Sequence, residues 1–167
     1  NQTSSTVSSG GNLTLADGAT IVRTGGSLDA APVFGTTVNV SYNGATPITS
    51  GVEIPTATSV LNNLTVNNAA GVTLGSSGTV NGVLNLTAGT LTTGANTLTL
   101  KGTPTVTAGN INASNSGATV SFTNTAAVVL PASLFTGNAQ NLTINGAGGV
   151  TLGSATSLAG ILTVTSG

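Results

Sequence analysis

The sequence predicts an all-β fold: a parallel β-helix (β-solenoid) of about eight turns, arranged as two tandem four-turn copies, with no helix. Three observations carry that expectation. Apolar residue types recur at steps of about 20 residues, as Leu64 recurs in Leu84 and Leu142 in Leu162, a step within the range of solenoid repeats. Within each step apolar residues alternate with Thr, Asn or Ser, as in Leu13-Thr14-Leu15, Leu64-Thr65-Val66 and Val120-Ser121-Phe122, which is the period of a strand with one buried face. No stretch combines helical spacing with helix-forming residues. An antiparallel β-sandwich also uses short alternating strands, but nothing in it requires the 20-residue recurrence.

In chain order, residues 1–5 are a polar tail, residues 6–89 a first copy and residues 90–167 a second, together one continuous domain. The copies are plainest in residues 63–75, which return without a gap as residues 141–153, and in residues 83–89, which return as 161–167. Differences keep class: Val66 becomes Ile144, Val80 becomes Leu158 and Val83 becomes Ile161. Residues 6–18 match residues 90–102 with one residue inserted, residues 26–30 match 109–113, and residues 35–43 match 117–124. The first copy is longer around Pro32 and between Ile48 and Pro55. Gly, Asn-Asn and Asn-Gly bound the short strands, and these residues tolerate the positive φ that sharp corners need.

Composition excludes several classes of function. Apolar residues make up 38% of the chain and the net charge is -1, so the segment is not disordered for want of a core. Its glycines keep no three-residue period, which excludes collagen. The core must be thin, because Leu, Val and Ile supply nearly all of it. Arg23 and Lys101 are the only basic residues and Tyr42 the only tyrosine, so neither phosphate neutralisation nor base stacking is available and no nucleic-acid partner is expected. No apolar run approaches the roughly 20 residues of a membrane-spanning helix, so no membrane insertion is expected. The chain opens on Asn1, without a charged and then apolar leader, and is expected to be a processed mature form or a fragment.

Catalytic chemistry is hard to build from these residues. The carboxylates are Asp17, Asp29 and Glu53; there is no His and no Cys, and Ser and Thr have no base to activate them. The chain is therefore expected to be no enzyme, with no catalytic residues, no metal site and no cofactor. Asp17 and Asp29 read as corner residues, and Arg23 as their partner in an exposed ion pair of little weight. Glycosylation sequons stand at Asn1, Asn12, Asn39, Asn63, Asn85, Asn112 and Asn141, as the abundance of Asn, Ser and Thr would also produce by chance. Thr-x-Thr pairs at Thr97/Thr99, Thr105/Thr107 and Thr163/Thr165 suggest an ice-binding ladder; outward Thr is equally the best β-former that keeps a strand soluble.

The ends are the most informative feature. A β-helix leaves backbone groups and an apolar cross-section open at its first and last turns unless something covers them, and no covering segment is legible. Since Gly89 runs directly into Thr90, the segment expected after Gly167 resembles residues 6–18. The expectation is a head-to-tail homopolymer, a structural subunit of an extracellular filament, in which the last turn of one copy is continued by the first turn of the next. Val7, Leu13 and Leu15 would meet Ile161, Leu162 and Val164 across that joint, with residues 1–5 bridging it.

The phrase Asn-Leu-Thr-Val-Asn (63–67), Gly-Val-Thr-Leu-Gly (71–75), Asn-Gly-Val-Leu-Asn-Leu-Thr (81–87) and Gly-Thr-Leu (89–91) resembles repeats of large β-solenoid surface and adhesin-like proteins of bacteria. The resemblance implies a β-solenoid at the cell exterior or cell surface. It implies no ligand and carries no binding residues over; the alternative it leaves is a fragment of a large surface adhesin, for which a glycan or cell-surface contact is the expected partner.

Overall fold

The computed structural model describes residues 5–166. Among these it contains seventeen short strands and no helix. Every ladder between strands is parallel. Each residue pairs with one roughly a turn further on: Ala19 with Val38, Leu64 with Leu84, Leu98 with Val120. A chain that pairs in parallel with its own next turn must wind about one axis, and the fold is a β-solenoid of about eight turns.

The coil has three sides, crossed in a fixed order. On side one lie Ile48–Thr49, Val72–Thr73, the end of Leu84–Thr92 and Gly109–Asn112. Side two carries Gly78–Val80, Thr97–Leu100, Thr119–Phe122, Asn141–Asn145 and Leu162–Ser166. Side three carries Ala19–Arg23, Val38–Tyr42, Leu61–Asn67, the start of Leu84–Thr92 and Thr105–Val106. Thr6–Val7, paired with Ser27–Leu28, precedes them on side one, and Thr14 bridges to Val33 on side two. Val128–Leu130 and Val150–Leu152 continue side three.

The alternation Leu-Thr-Leu does what its period requires. In Thr97–Leu100 and Thr119–Phe122 the apolar residues are buried and the threonines and serine half-exposed. Stacking turns line up Val80, Leu100, Phe122 and Ile144, so one continuous apolar column fills the coil. Leu84–Thr92 is the longest strand because it turns a corner without breaking. Its corner residue is Gly89, at φ 77°, and a Cβ there would be driven into the carbonyl oxygen of Asn68 on the turn below. Both the left-handed backbone and the close approach require glycine.

Asparagine works differently from the sequence expectation. Among the described residues the positive-φ positions are glycines apart from Ser133, so the asparagines do not supply left-handed corners. They tie one turn to the next through their amides. Asn68 Nδ2 donates to Thr46 O at 2.8 Å and Asn124 Nδ2 to Gly149 O at 2.8 Å, each from a fully buried side chain. Asn96 Nδ2 donates to Leu74 O at 2.9 Å.

The two sequence copies do not superpose side for side. Leu84 sits on side three, stacked on Leu64, whereas its counterpart Leu162 sits on side two, stacked on Leu142. Likewise Val72 lies on side one and its counterpart Val150 on side three. The offset starts at the extra residues around Pro32. Between side three at Ile21 and side three at Val40 the first copy crosses Leu28 and Val33, whereas residues 109–122 of the second reach side two at Val120 straight after Ile111. The stretch around Pro32 is thus one whole side that the second copy lacks, and every later element of the first copy is turned by one side relative to its counterpart.

Candidate functional site

Two features stand out from the regular coil: a charged cluster near the first turns and the open faces at both ends. Arg23 ends the first side-three strand and points inward. Its Nη1 donates to Glu53 Oε1 at 2.5 Å and to Thr49 O at 3.1 Å, and its Nη2 donates to Gly26 O. Glu53 is only 1% exposed and also accepts from Tyr42 Oη at 2.7 Å and from the Gly51 N–H at 2.9 Å. The guanidinium lies 5.8 Å from the centre of the Tyr42 ring, a cation–π distance. Arg23 is therefore not the exposed partner of Asp17 or Asp29. The longer loop between Ile48 and Pro55 brings Glu53 under it, a placement that sequence separation conceals.

Burial pushes the Glu53 carboxyl up, but donation from Tyr42, Gly51 and Arg23 outweighs it and leaves the group below its ordinary value. Burial, and then the Glu53 charge, push Tyr42 far above the usual phenol range. Apart from the Arg23 Nε, which has no partner, the donors of this cluster are directed at Glu53 or at backbone carbonyls, so its chemistry is that of a structural clamp. Beside it, between Leu28 and Ile48, side one is unpaired and a cleft of about 820 Å³ opens.

Asp29 and Asp17 sit at corners, each holding a neighbouring turn. Asp29 accepts from the Ser9 N–H at 2.8 Å, from Ser8 Oγ at 3.0 Å and from Ser9 Oγ at 3.1 Å. The Ser9 N–H is the largest reason that its carboxyl falls to about 2. Asp17 accepts from the Thr36 N–H at 2.5 Å and is likewise lowered. Carboxyls with lowered folded values add stability above their unfolded value and lose it as pH falls through the folded one. Thermal unfolding is expected to be flat from about pH 5 to 9 and to weaken from about pH 4 towards 2. Tyr42 has the opposite sign: its contribution is present below about pH 10 and fades above that. A titration midpoint between pH 6 and 7 would contradict this, since no histidine is present.

At the first turn Val7 is 56% exposed, while Leu13, Leu15 and Ile21 are partly buried, Ile21 against the core. At the last described turn Leu152 is half-exposed, Leu162 is 55% and Val164 63% exposed, although Leu142 and Ile144 directly beneath the latter pair are buried. Among the described residues neither face is covered by another part of the chain. Of the residues expected at a joint, Val7, Leu13 and Leu15 stand on one face, and Leu162 and Val164 on the other. Ile161 stands one position before Leu162 and therefore on the outward phase of the strand, away from the apolar column. The expectation missed Ile21, Leu152 and Leu158, which complete the three sides of the two faces. Residues 1–4 of the expected bridge, with the sequon at Asn1, lie outside the described residues.

The other candidates resolve into structure. Asn39 Nδ2 donates to Gly18 O at 3.1 Å and Asn141 Nδ2 to Ala118 O at 2.9 Å, so a glycan on either would replace a bond between turns. Asn63 accepts from the Val83 N–H at 2.8 Å, Asn85 from Thr105 Oγ1 at 2.8 Å and Asn112 from the Ser114 N–H at 3.1 Å. Asn12 is exposed. Thr97/Thr99 and Thr163/Thr165 share side two, but Thr105 belongs to side three, so the three pairs form no single ladder. Among the described residues no group of three or more His, Cys, Asp or Glu side chains is placed to hold a metal ion, and no helix is long and apolar enough to cross a membrane.

The fold defines the molecule as a β-solenoid. No family model, no curated protein and no solved structure matches the chain.

Proposed function

We propose that the chain is a structural subunit that stacks end to end on further copies of itself, forming an extracellular filament. The carrying observation is the pair of open faces: inward-phase Val7, Leu13, Leu15 and Ile21 at one, Leu152, Leu158, Leu162 and Val164 at the other. Both are cross-sections of one apolar column, and each outer strand leaves a row of backbone donors and acceptors free on its open edge. Stacking satisfies these groups and covers the side chains, and it is directional, so it propagates. None of the eight residues is charged, and the whole chain carries only Arg23, Lys101, Asp17, Asp29 and Glu53. Light scattering should therefore rise with protein concentration and change little between low and high salt. A monodisperse monomer at every concentration would overturn the reading.

A second reading is favoured by one observation. Leu84–Thr92 runs unbroken through the boundary between the sequence copies, so copies also join covalently without a seam. On that reading the faces are continued by further turns of one longer polypeptide, a segment of an adhesin-like surface protein, and the purified segment polymerises only because its neighbours are missing. The intact mass of the protein isolated from its natural source separates the two: a mass near 15.9 kDa fits a subunit, and a much larger one a long array.

A further inference from the structure

We infer that successive copies meet with a rotation of one side, so that Val7 of the next copy stacks on Val150 of side three rather than on Leu158 of side one. The inference rests on the end-to-end reading above and specifies its partner, a second copy, and its register.

The chain contains the joint in its own interior. The first turn, residues 6–18, has its sequence counterpart in residues 90–102, and the last turns, residues 142–167, have theirs in residues 64–89. Those two counterparts are stacked on each other within the coil. Leu91 lies on Val72, Leu98–Leu100 on Gly78–Val80, and Val106 on Leu86. There Val72, Val80, Leu86, Leu91, Leu98 and Leu100 are buried, while the same phrase at the two ends is open. Transferring the pairing to the ends puts Val7 of the next copy on Val150 and Leu15 on Leu158. In strand phase, Ile21 then falls on Val164. Val7 on Val150, Leu15 on Leu158 and Ile21 on Val164 are apolar pairs, whereas Leu13 falls on Thr156, the counterpart of Gly78.

The rotation follows from where the sides fall. The internal template sits on side one, where Leu91 covers Val72, but the extra side around Pro32 has moved the counterpart of Val72, Val150, to side three. The path of the coil agrees independently. Its first strand, Thr6–Val7, is on side one and its last, Leu162–Ser166, on side two, so the next position in the winding is on side three, above Val150–Leu152. A copy placed without rotation would leave that position empty and expose the backbone edge of Val150–Leu152 inside the filament. With the rotation the coil continues unbroken. Each copy then advances by about 37 Å at about 4.8 Å per turn, and every third copy repeats the starting orientation.

The chain has no cysteine, so introduced pairs report the register directly. Three double variants each combine Ser8→Cys with one partner, Thr151→Cys on side three, Ala159→Cys on side one or Thr163→Cys on side two. They are concentrated, treated with a short thiol crosslinker and run on a denaturing gel, with light scattering measured in parallel. The two positions of one copy lie at opposite ends, so a dimer or longer band reports a joint. The expected result is scattering by all three and a crosslinked ladder for Thr151→Cys alone. A ladder for Ala159→Cys or Thr163→Cys instead would overturn the rotation and leave the filament standing. Loss of scattering in the unsubstituted protein would remove the filament and the rotation with it.

Discussion

Replacing Glu53 with alanine is expected to lower the stability of the folded chain by about 3–5 kcal/mol, the range found when one partner of a buried ion pair is removed. The effect is large because the carboxylate is shared. Arg23 Nη1, Tyr42 Oη and the Gly51 N–H all donate to Oε1, and the Arg23 Nε already has no partner. Removing the acceptor leaves a phenol that is fully buried without its partner and a guanidinium only 11% exposed, at the wall of the cleft. Tyr42→Phe removes a single charge-assisted bond and should cost about 1.5–3 kcal/mol. The pair Arg23→Met with Glu53→Met should cost less than either change alone, because no charge is then left without its partner. Urea unfolding of Glu53→Ala, Tyr42→Phe, Arg23→Met, Glu53→Met and the double Met variant checks this. Equal midpoints for Glu53→Ala and the unsubstituted chain would show that the clamp carries no stability.

Substituting Val164 with lysine is expected to leave the isolated fold intact and to weaken assembly by more than a hundredfold. Val164 is 63% exposed in the single chain, so the new ammonium stays in water and the turn beneath it, at Ile144, is undisturbed. In the stacked joint the same position faces the apolar side of the next copy. Enclosing an unpaired ammonium there costs about 3 kcal/mol or more, and each 1.4 kcal/mol is tenfold in association. Thr163→Lys, one residue earlier and on the outward phase, serves as the control and should assemble almost normally. The readout is the concentration at which scattering begins, with the thermal midpoint measured alongside. Equal assembly by Val164→Lys and Thr163→Lys would place the joint elsewhere.

The winding was legible because its signals are local. Leu13-Thr14-Leu15 and Val120-Ser121-Phe122 state their own burial, and the distance from Leu64 to Leu84 states the turn. The exposure of Val7, Leu162 and Val164 at the first and last described turns follows from the same local pattern. What escaped depends on how one turn lies over another. Arg23 and Glu53 are 30 residues apart and meet only because the turns between them differ in length, from the 19-residue step of Ala19 to Val38 to the 24-residue step of Val40 to Leu64. Sequence proximity suggested Asp17 and Asp29 instead, and each of those is committed to backbone N–H groups of a neighbouring turn. The rotation between copies was hidden by their very likeness. Residues 63–75 and 141–153 align without a gap, yet the residues around Pro32, far upstream, put them on different sides. Ile161 was misplaced by one residue of phase, which the pairing of Leu142 with Leu162 corrects.

Electron microscopy of the purified, concentrated chain tests the end-to-end account most directly. Rods one coil wide and many times longer than the roughly 37 Å of a single copy are expected, shortening to single copies in Val164→Lys. Particles that never exceed the length of one copy, in a preparation whose strands remain folded, would contradict it.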